Sequence, residues 1–365
     1  MKPFSKIRIS PFRPTHTSSS AYVFGSPSPS KAKRGKTRPV RVVAVLLGIA
    51  VSGLLLPSPA RAGGPDSSQP DASTVARARA AFLKTMSSHR PLVRSVTTPL
   101  AVPGAGATSL PSVNWSGFAD VESGSNTVSS VSGQWVIPYV QCPSGPYRYQ
   151  DAFIAQWVGI DGATDGTVEQ LGSATQCFEG VTYYYVWYEM FPGGTVEEGT
   201  VACINNNVDC PQPGDFVSAS VTVKPAGATN NYKLSLTDFT RPQESFSVTA
   251  SCAASTCLDS SAEWVVERPA FELPFGFQIL PLVDFFQTGF FEGELTSGGK
   301  TKKIEEFQDG AVYDVQMSDD SGSYWLDCVG QRGFGSQLLL TTDANACPAV
   351  SPYHGSFSAT WDSSF

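Results

Sequence analysis

Two strand-like stretches of this chain set carboxylates among aromatic and aliphatic side chains. In the run from Tyr183 to Pro192, alternate residues share a face, which groups Tyr183, Tyr185, Trp187, Glu189 and Phe191. In Ser261-Ala262-Glu263-Trp264-Val265-Val266-Glu267, the same alternation puts Glu263, Val265 and Glu267 on one face and Ala262, Trp264 and Val266 on the other. A carboxylate in an aromatic row is costly to bury unpaired, so it is either paired or lines a cleft, where it can do acid–base work. For any one such Glu taken alone, a solvated strand position explains it as well.

Other catalytic chemistry is short of parts. After residue 111 there are 30 acidic side chains, 9 basic ones and a single histidine, His354, which sits in a turn between Pro352-Tyr353 and Gly355. Ser-His-Asp and Cys-His arrangements need a histidine beside the nucleophile. Only one Asp-Ser-Gly loop occurs, Asp320-Ser321-Gly322, where an aspartic dyad needs two. There is no HExxH and no phosphate-binding glycine loop. Without a CxxC pair, and with one histidine in this region, no Cys/His zinc site forms either, so neither a metal nor a cofactor is expected. The chemistry must run on carboxylates and amides.

Several segments in one order carry a more specific signal: Asn114-Trp115-Ser116-Gly117, Trp157-Val158-Gly159-Ile160-Asp161-Gly162, Gln170-Leu171-Gly172, Trp187-Tyr188-Glu189 and Ala262-Glu263-Trp264-Val265-Val266-Glu267. Together they resemble the glutamic peptidases, also called eqolisins. The resemblance implies an all-β fold, a β-sandwich of two antiparallel sheets like the lectin (concanavalin) jelly roll, made as a secreted preproenzyme and active as an acid endopeptidase on polypeptides. By motif position it implies Gln170 and Glu263 as the catalytic dyad, with Trp157, Asp161 and Glu189 lining the same concave sheet against substrate. Gln156 and Gln176 are neighbouring amides; Gln170 is preferred because Leu171-Gly172 follow it, and a one-residue slip would turn the side chain to the other face.

Such a dyad is chemically coherent. An ionised Glu263 takes a proton from a water, that water attacks the scissile carbonyl, and the acid returns a proton to the leaving nitrogen. The Gln170 amide does not titrate and can donate to the developing oxyanion at any pH. An ordinary Glu is half ionised near pH 4.3, which suits acid conditions. The rival reading is a carbohydrate-active enzyme or a lectin-like sugar-binding module, with Glu189 and Glu263 as a carboxylate pair and Trp157 and Trp187 stacking on sugar.

The elements that must position these groups follow from the rest of the chain. Residues 1–111 carry sixteen basic side chains against Asp66 and Asp71 alone, whereas the remainder is strongly acidic. An acidic body repels nucleic acid and anionic membranes, and its self-repulsion fades as carboxylates protonate. A basic cluster from Lys31 to Arg41, an apolar run Val42 to Leu56 and small residues at Ala60 and Ala62 read as an export signal over 1–62, since the run is shorter than the roughly 20 residues of a membrane span. Residues 63–111 read as a propeptide that inhibits its own enzyme or, in the plainer reading, as a disordered spacer. It contains a linker and a helix from Ser73, as cap, to Met86, with Val75, Ala78, Phe82 and Met86 on one face. Arg77, Arg79, Lys84, Arg90 and Arg94 would hold it against an acidic cleft. From Ser112 to Phe365 period-two patterns predict the sandwich, for example Val217, Ala219, Val221 and Val223, then Tyr232, Leu234 and Leu236, then Phe246 and Val248, and finally Phe357, Ala359 and Trp361. The Phe-rich stretch from Phe271 to Gly299 reads as core packing or as a substrate-facing flap. Eight cysteines behind an export signal predict four disulfides, with Cys203–Cys210 and Cys252–Cys257 close enough to clip single loops. The mature form is expected to be a secreted, extracellular monomer working in an acidic environment, with no membrane partner.

Overall fold

The computed structural model describes residues 70–87, 91–93, 108–123, 127–204, 209–226, 229–252, 257–273, 276–306, 311–318, 327–330 and 357–361. The expected export signal, His354 and the Asp320-Ser321-Gly322 loop lie outside these residues. The first element is a helix, α1 (Ala72–Ser87). Then come strands β1 (Thr108–Ser112), β2 (Trp115–Val121), β3 (Val128–Val136), β4 (Ala152–Ile160), β5 (Val168–Phe178), β6 (Val181–Phe191), β7 (Thr195–Ile204), β8 (Phe216–Ala226) and β9 (Thr229–Asp238). They are followed by β10 (Phe246–Ser251), β11 (Ser261–Glu267), β12 (Ala270–Leu273), β13 (Gly276–Ile279), β14 (Gln287–Ser297), β15 (Lys300–Lys303), β16 (Ala311–Met317), β17 (Asp327–Gly330) and β18 (Phe357–Trp361).

Two eight-stranded sheets form the body. The first runs β1-β16-β2-β11-β4-β5-β6-β7; the second runs β10-β9-β8-β3-β14-β18-β17, with β15 paired to β14. Chain neighbours such as β4–β5, β5–β6 and β8–β9 pair antiparallel as short-turn hairpins must. One departure from the all-antiparallel expectation is β1, which pairs parallel to β16. The two strands are about two hundred residues apart in sequence, so no hairpin turn dictates their direction. β1 also lies mostly ahead of Ser112, so residues 108–112 belong to the sheet rather than to the segment before it.

Alternation is legible in the second sheet, where β10 strictly alternates partly buried with exposed positions. It disappears in the centre of the first sheet: every residue of β4 and β11 is buried. One face of these strands meets the second sheet in a core holding Phe118, Trp135, Leu171, Leu234, Trp264 and Phe290. The indole N–H groups tie the layers together, Trp264 donating to the Ser132 carbonyl at 2.7 Å and Trp135 to Ser173 Oγ at 2.9 Å. Phe285 and Phe290 of the Phe-rich stretch are in this core, and β12 and β13 pair antiparallel as a separate two-stranded sheet.

The other face of the first sheet carries a second apolar layer, Trp115, Phe153, Trp157, Tyr185, Trp187 and Val265, and α1 packs onto it through Ala78, Phe82 and Met86. Those three residues are the buried stripe expected from their spacing. The cap is Asp71 instead of Ser73: its carboxylate accepts from the Thr74 amide at 2.8 Å and from Ser73 Oγ at 2.8 Å. These bonds hold the Asp71 carboxyl down at about 2. Disulfides join Cys252 to Cys257, as expected, and Cys142 to Cys177. Cys210 is also disulfide-bonded, while the side chains of Cys203, Cys328 and Cys347 lie outside the described residues.

Candidate active site

Residues directly paired across neighbouring strands point to the same sheet face. Following the register from one strand to the next gives a single row: Tyr313, Ala119, Glu263, Gly159, Gln170, Glu189 and Thr195. Glu263 and Gln170 thus stand two strand spacings apart, roughly 10 Å between their backbones, on either side of a residue without a side chain. The next same-face row is Val315, Gly117, Val265, Trp157, Gly172, Trp187 and Glu197.

Gly159 makes this arrangement possible. A Cβ there would lie 2.9 Å from the Trp157 ring and 3.2 Å from the Gln170 Cβ. The bare backbone lets the Trp157 ring lie along the strand beside Gln170, while its Nε1–H donates to Glu267 Oε2 at 2.7 Å and its edge meets Trp115 at 4.8 Å. A glycine inside an apolar strand was the available sequence signal for this close approach. The positioning parts played by Gly159 and Glu267 were not deduced from it.

Glu189 orients the amide of Gln170. Gln170 Nε2 donates to Glu189 Oε2 at 2.9 Å, and Thr195 Oγ1 donates to Glu189 Oε1 at 2.9 Å. With one N–H fixed to Glu189, the second N–H of the same amide is turned by planarity toward other directions on the face. The rival amides do different work. Gln156 points between the sheets and donates to Thr288 Oγ1 at 2.6 Å, and Gln176 accepts from the Tyr185 hydroxyl at 2.9 Å, six residues along β5 from Gln170.

Glu263 is fully buried; among the described residues neither carboxyl oxygen has a partner in good hydrogen-bond geometry, although Ser261 and the Ala163 amide act on it to lower its pKa. Burial pushes its pKa well above the usual carboxylate range, and nearby Asp161 and Asp165 push it further. The value expected from an unperturbed Glu therefore does not describe this carboxyl in the covered site. Among the described residues, further buried polar atoms on the same face lack a protein partner, including the indole N–H groups of Trp115 and Trp187, the Tyr183 hydroxyl and Ser261 Oγ. Buried polar atoms are ordinarily bonded, so their concentration here marks a face built to receive a polar ligand.

Asp161 does not join this row. It follows β4 with φ +69° and accepts from the backbone N–H groups of Leu258, Asp259 and Ser260, at 2.9, 2.9 and 2.6 Å, and from Ser260 Oγ at 3.1 Å. It thereby anchors the loop that leads into β11 and so sets the height of Glu263. Burial, and then neighbouring Asp165, raise Asp161 to about 7. Beside it, on the inter-sheet face, burial and the surrounding carboxylates raise Glu169 to about 10, so it is protonated, with Oε1 3.0 Å from Cys257 Sγ. Among the described residues this is the tight group with metal-ligand atoms, but its two sulfurs are bonded to each other and are not thiolates.

The N-terminal segment touches both margins of this face. At the β6–β7 side Phe82 stacks on Tyr185 (ring centres 3.8 Å, planes 3° apart), Arg79 Nε donates to Glu197 Oε2 at 2.6 Å, and Thr195 N–H donates to Ser87 Oγ at 3.2 Å. At the β2 side, Asn114 Nδ2 donates to the Pro91 carbonyl at 3.3 Å, while the Val93 N–H donates to Asn114 Oδ1 at 2.8 Å.

Comparison with known proteins bears on this face. Among solved structures, the chain is similar to aspergilloglutamic peptidase from Aspergillus niger, with 20% identity and a TM-score of 0.37 over 58% of this chain and 99% of that one. No curated protein matches it. The model of the Peptidase A4 family matches residues 113–329, a span that contains every residue of the Glu263–Gln170 row and excludes α1. On that match the chain belongs to the Peptidase A4 family, the glutamic peptidases, and is an endopeptidase.

Proposed function

We propose that the protein is a secreted acid endopeptidase in which Glu263 and Gln170 activate a water between them. The observation that carries this reading is the cross-strand row Glu263–Gly159–Gln170–Glu189, which sets an acid and an oriented amide on either side of a bare glycine backbone covered by the Trp157 ring. Once ionised, Glu263 takes the proton of the attacking water and then delivers it to the leaving nitrogen. The Gln170 amide donates to the oxyanion, a contribution of about 10²–10³ in rate for one such donor elsewhere. The sugar-cleaving alternative fits the site poorly. Gln170 stands between Glu189 and Glu263, and the Glu189 carboxylate is engaged by the Gln170 amide and the Thr195 hydroxyl instead of facing Glu263 as a partner.

The segment ahead of the family-matched span acts as an inhibitory propeptide. Helix α1 and residues 91–93 lie at the two margins of the face that a polypeptide would need, and in this form Glu263 is buried, which favours its protonated state and disfavours its work as a base. Release admits water and brings the carboxyl back toward its ordinary range. Because β1 is built into the sheet, the processing cut falls between residues 93 and 108. No helix among the described residues is long and apolar enough to cross a membrane, and the disulfides are those of an oxidising compartment, which accords with secretion.

The test is to acidify the full chain to about pH 3–4 and follow its N-terminus and its digestion of casein. The wild type should shorten between residues 93 and 108 and then digest casein. Glu263→Gln should do neither, and Gln170→Ala should lose at least about 100-fold. Casein digestion at full rate by Glu263→Gln would falsify the dyad.

A further inference from the structure

The way α1 is held describes a binding site that the dyad itself does not use. Phe82 is fully buried with its ring flat on Tyr185 and 6.3 Å from that of Phe153. Three residues earlier, Arg79 donates to Glu197, whose carboxylate side chain is completely covered. Tyr185, Phe153 and Glu197 all lie on the face that carries Glu263 and Gln170. When α1 leaves, this slot and carboxylate are uncovered together with the unpartnered Trp187 N–H and Tyr183 hydroxyl. A contiguous aromatic patch bordered by polar groups on an enzyme's open face is a binding surface.

We propose that this slot is a remote specificity subsite, occupied before processing by Phe82 and Arg79 and afterwards by an aromatic side chain of the substrate with a basic residue close to it. The proposal rests on the endopeptidase reading given above. Tyr185 lies four residues from Glu189 along β6, and Phe153 lies six from Gly159 along β4, which at about 3.4 Å per residue puts the slot roughly 14–20 Å from the reacting row. An extended substrate covers that in about four to six residues. The slot accepts a flat ring because Tyr185 is held by its hydroxyl bond to Gln176 and presents its face. The basic preference comes from Glu197, whose carboxylate borders the slot and accepts from Arg79 Nε in the uncut form.

The test uses enzyme matured from the full chain and a series of internally quenched peptides with one fixed cleavable bond. A single Phe is moved through positions two to six on either side, and then Arg is added or removed beside it. One placement four to six residues from the bond should raise kcat/KM about tenfold or more over the Ala peptide, and Arg beside it should raise it again. In Tyr185→Leu the Phe/Ala ratio should collapse toward one, and in Glu197→Gln the Arg gain should vanish; the second variant decides the matter if the first does not fold. Equal kcat/KM for all Phe placements, or a Phe gain that survives Tyr185→Leu, overturns the subsite while leaving the peptidase intact. Failure to cleave the Phe-free peptide and casein alike, or cleavage that survives Glu263→Gln, overturns the underlying reading and the subsite with it.

Discussion

Replacing Phe82 by Ala tests how the N-terminal helix is held. The ring is fully buried and stacked, so its removal should cost about 3–5 kcal/mol, as for other buried Phe→Ala changes. The cost falls on the docking of α1 because the ring touches the outer face of the first sheet and not the core between the sheets. At about 1.4 kcal/mol per tenfold, the population with the helix released should rise by a factor on the order of 10² to 10³. The assay is the rate of N-terminal shortening of the full chain in a step to pH 4. Wild type and variant yield the same mature enzyme, so kcat/KM afterwards must agree, and any difference belongs to the uncut form. Arg77→Ala is the matched control. Its pair with Glu179 at 2.8 Å is about half exposed on each side and is worth at most about 1 kcal/mol, a change of fivefold or less. Equal processing rates for Phe82→Ala and Arg77→Ala would refute the idea that the buried ring gates release.

Three further outcomes are expected. Gly159→Ala forces a Cβ to 2.9 Å from the Trp157 ring and 3.2 Å from Gln170 Cβ, so kcat should fall by at least about tenfold with little change in far-UV circular dichroism; an unimpaired variant would show that the bare backbone at 159 is not needed. Glu189→Ala removes the acceptor that aims Gln170 and should lower kcat about 10- to 100-fold, with Glu189→Gln partly restoring it because its amide oxygen still accepts; equal loss in both would point to charge instead of orientation. Burial raises Asp120 and Asp161 to about 7 and Glu169 to about 10, all above their unfolded values of roughly 4. The folded form therefore keeps protons that the unfolded chain has shed. The stabilisation is whole below about pH 4 and is lost as pH rises through 7, so Tm should drop by about 10 °C or more between pH 4 and pH 7. A Tm that climbs over that interval would contradict these environments.

Much of the sandwich was legible because period-two alternation is a local property. β8, β9 and β10 fall where Val217–Val223, Tyr232–Leu236 and Phe246–Val248 alternate, since a sheet with one wetted face must show it. Strands β4 and β11 hide that pattern, being buried on both faces, and their mixture of Trp, Gly and carboxylates was instead a record of the site. The position of α1 followed from its apolar stripe, while its cap did not: Asp71 and Ser73 are both good caps, and only the path of the chain before the helix selects one.

For the site, the sequence by itself determined the currency of the chemistry. One histidine among thirty acids after residue 111 leaves carboxylates and amides, and period two puts Glu263 and Glu267 on a common face. It could not determine which strands adjoin, because β11 joins β2 and β4 over gaps of about a hundred residues or more and pairing across such gaps is set by the packing of the whole sheet. Tertiary structure alone decided that Gly159 separates Glu263 from Gln170, that Glu189 aims the amide, that Asp161 is spent on the loop before β11, and that Phe82 lies on Tyr185. Each is a contact between residues far apart in the chain, where the side-chain types are compatible with many partners and only the register selects one.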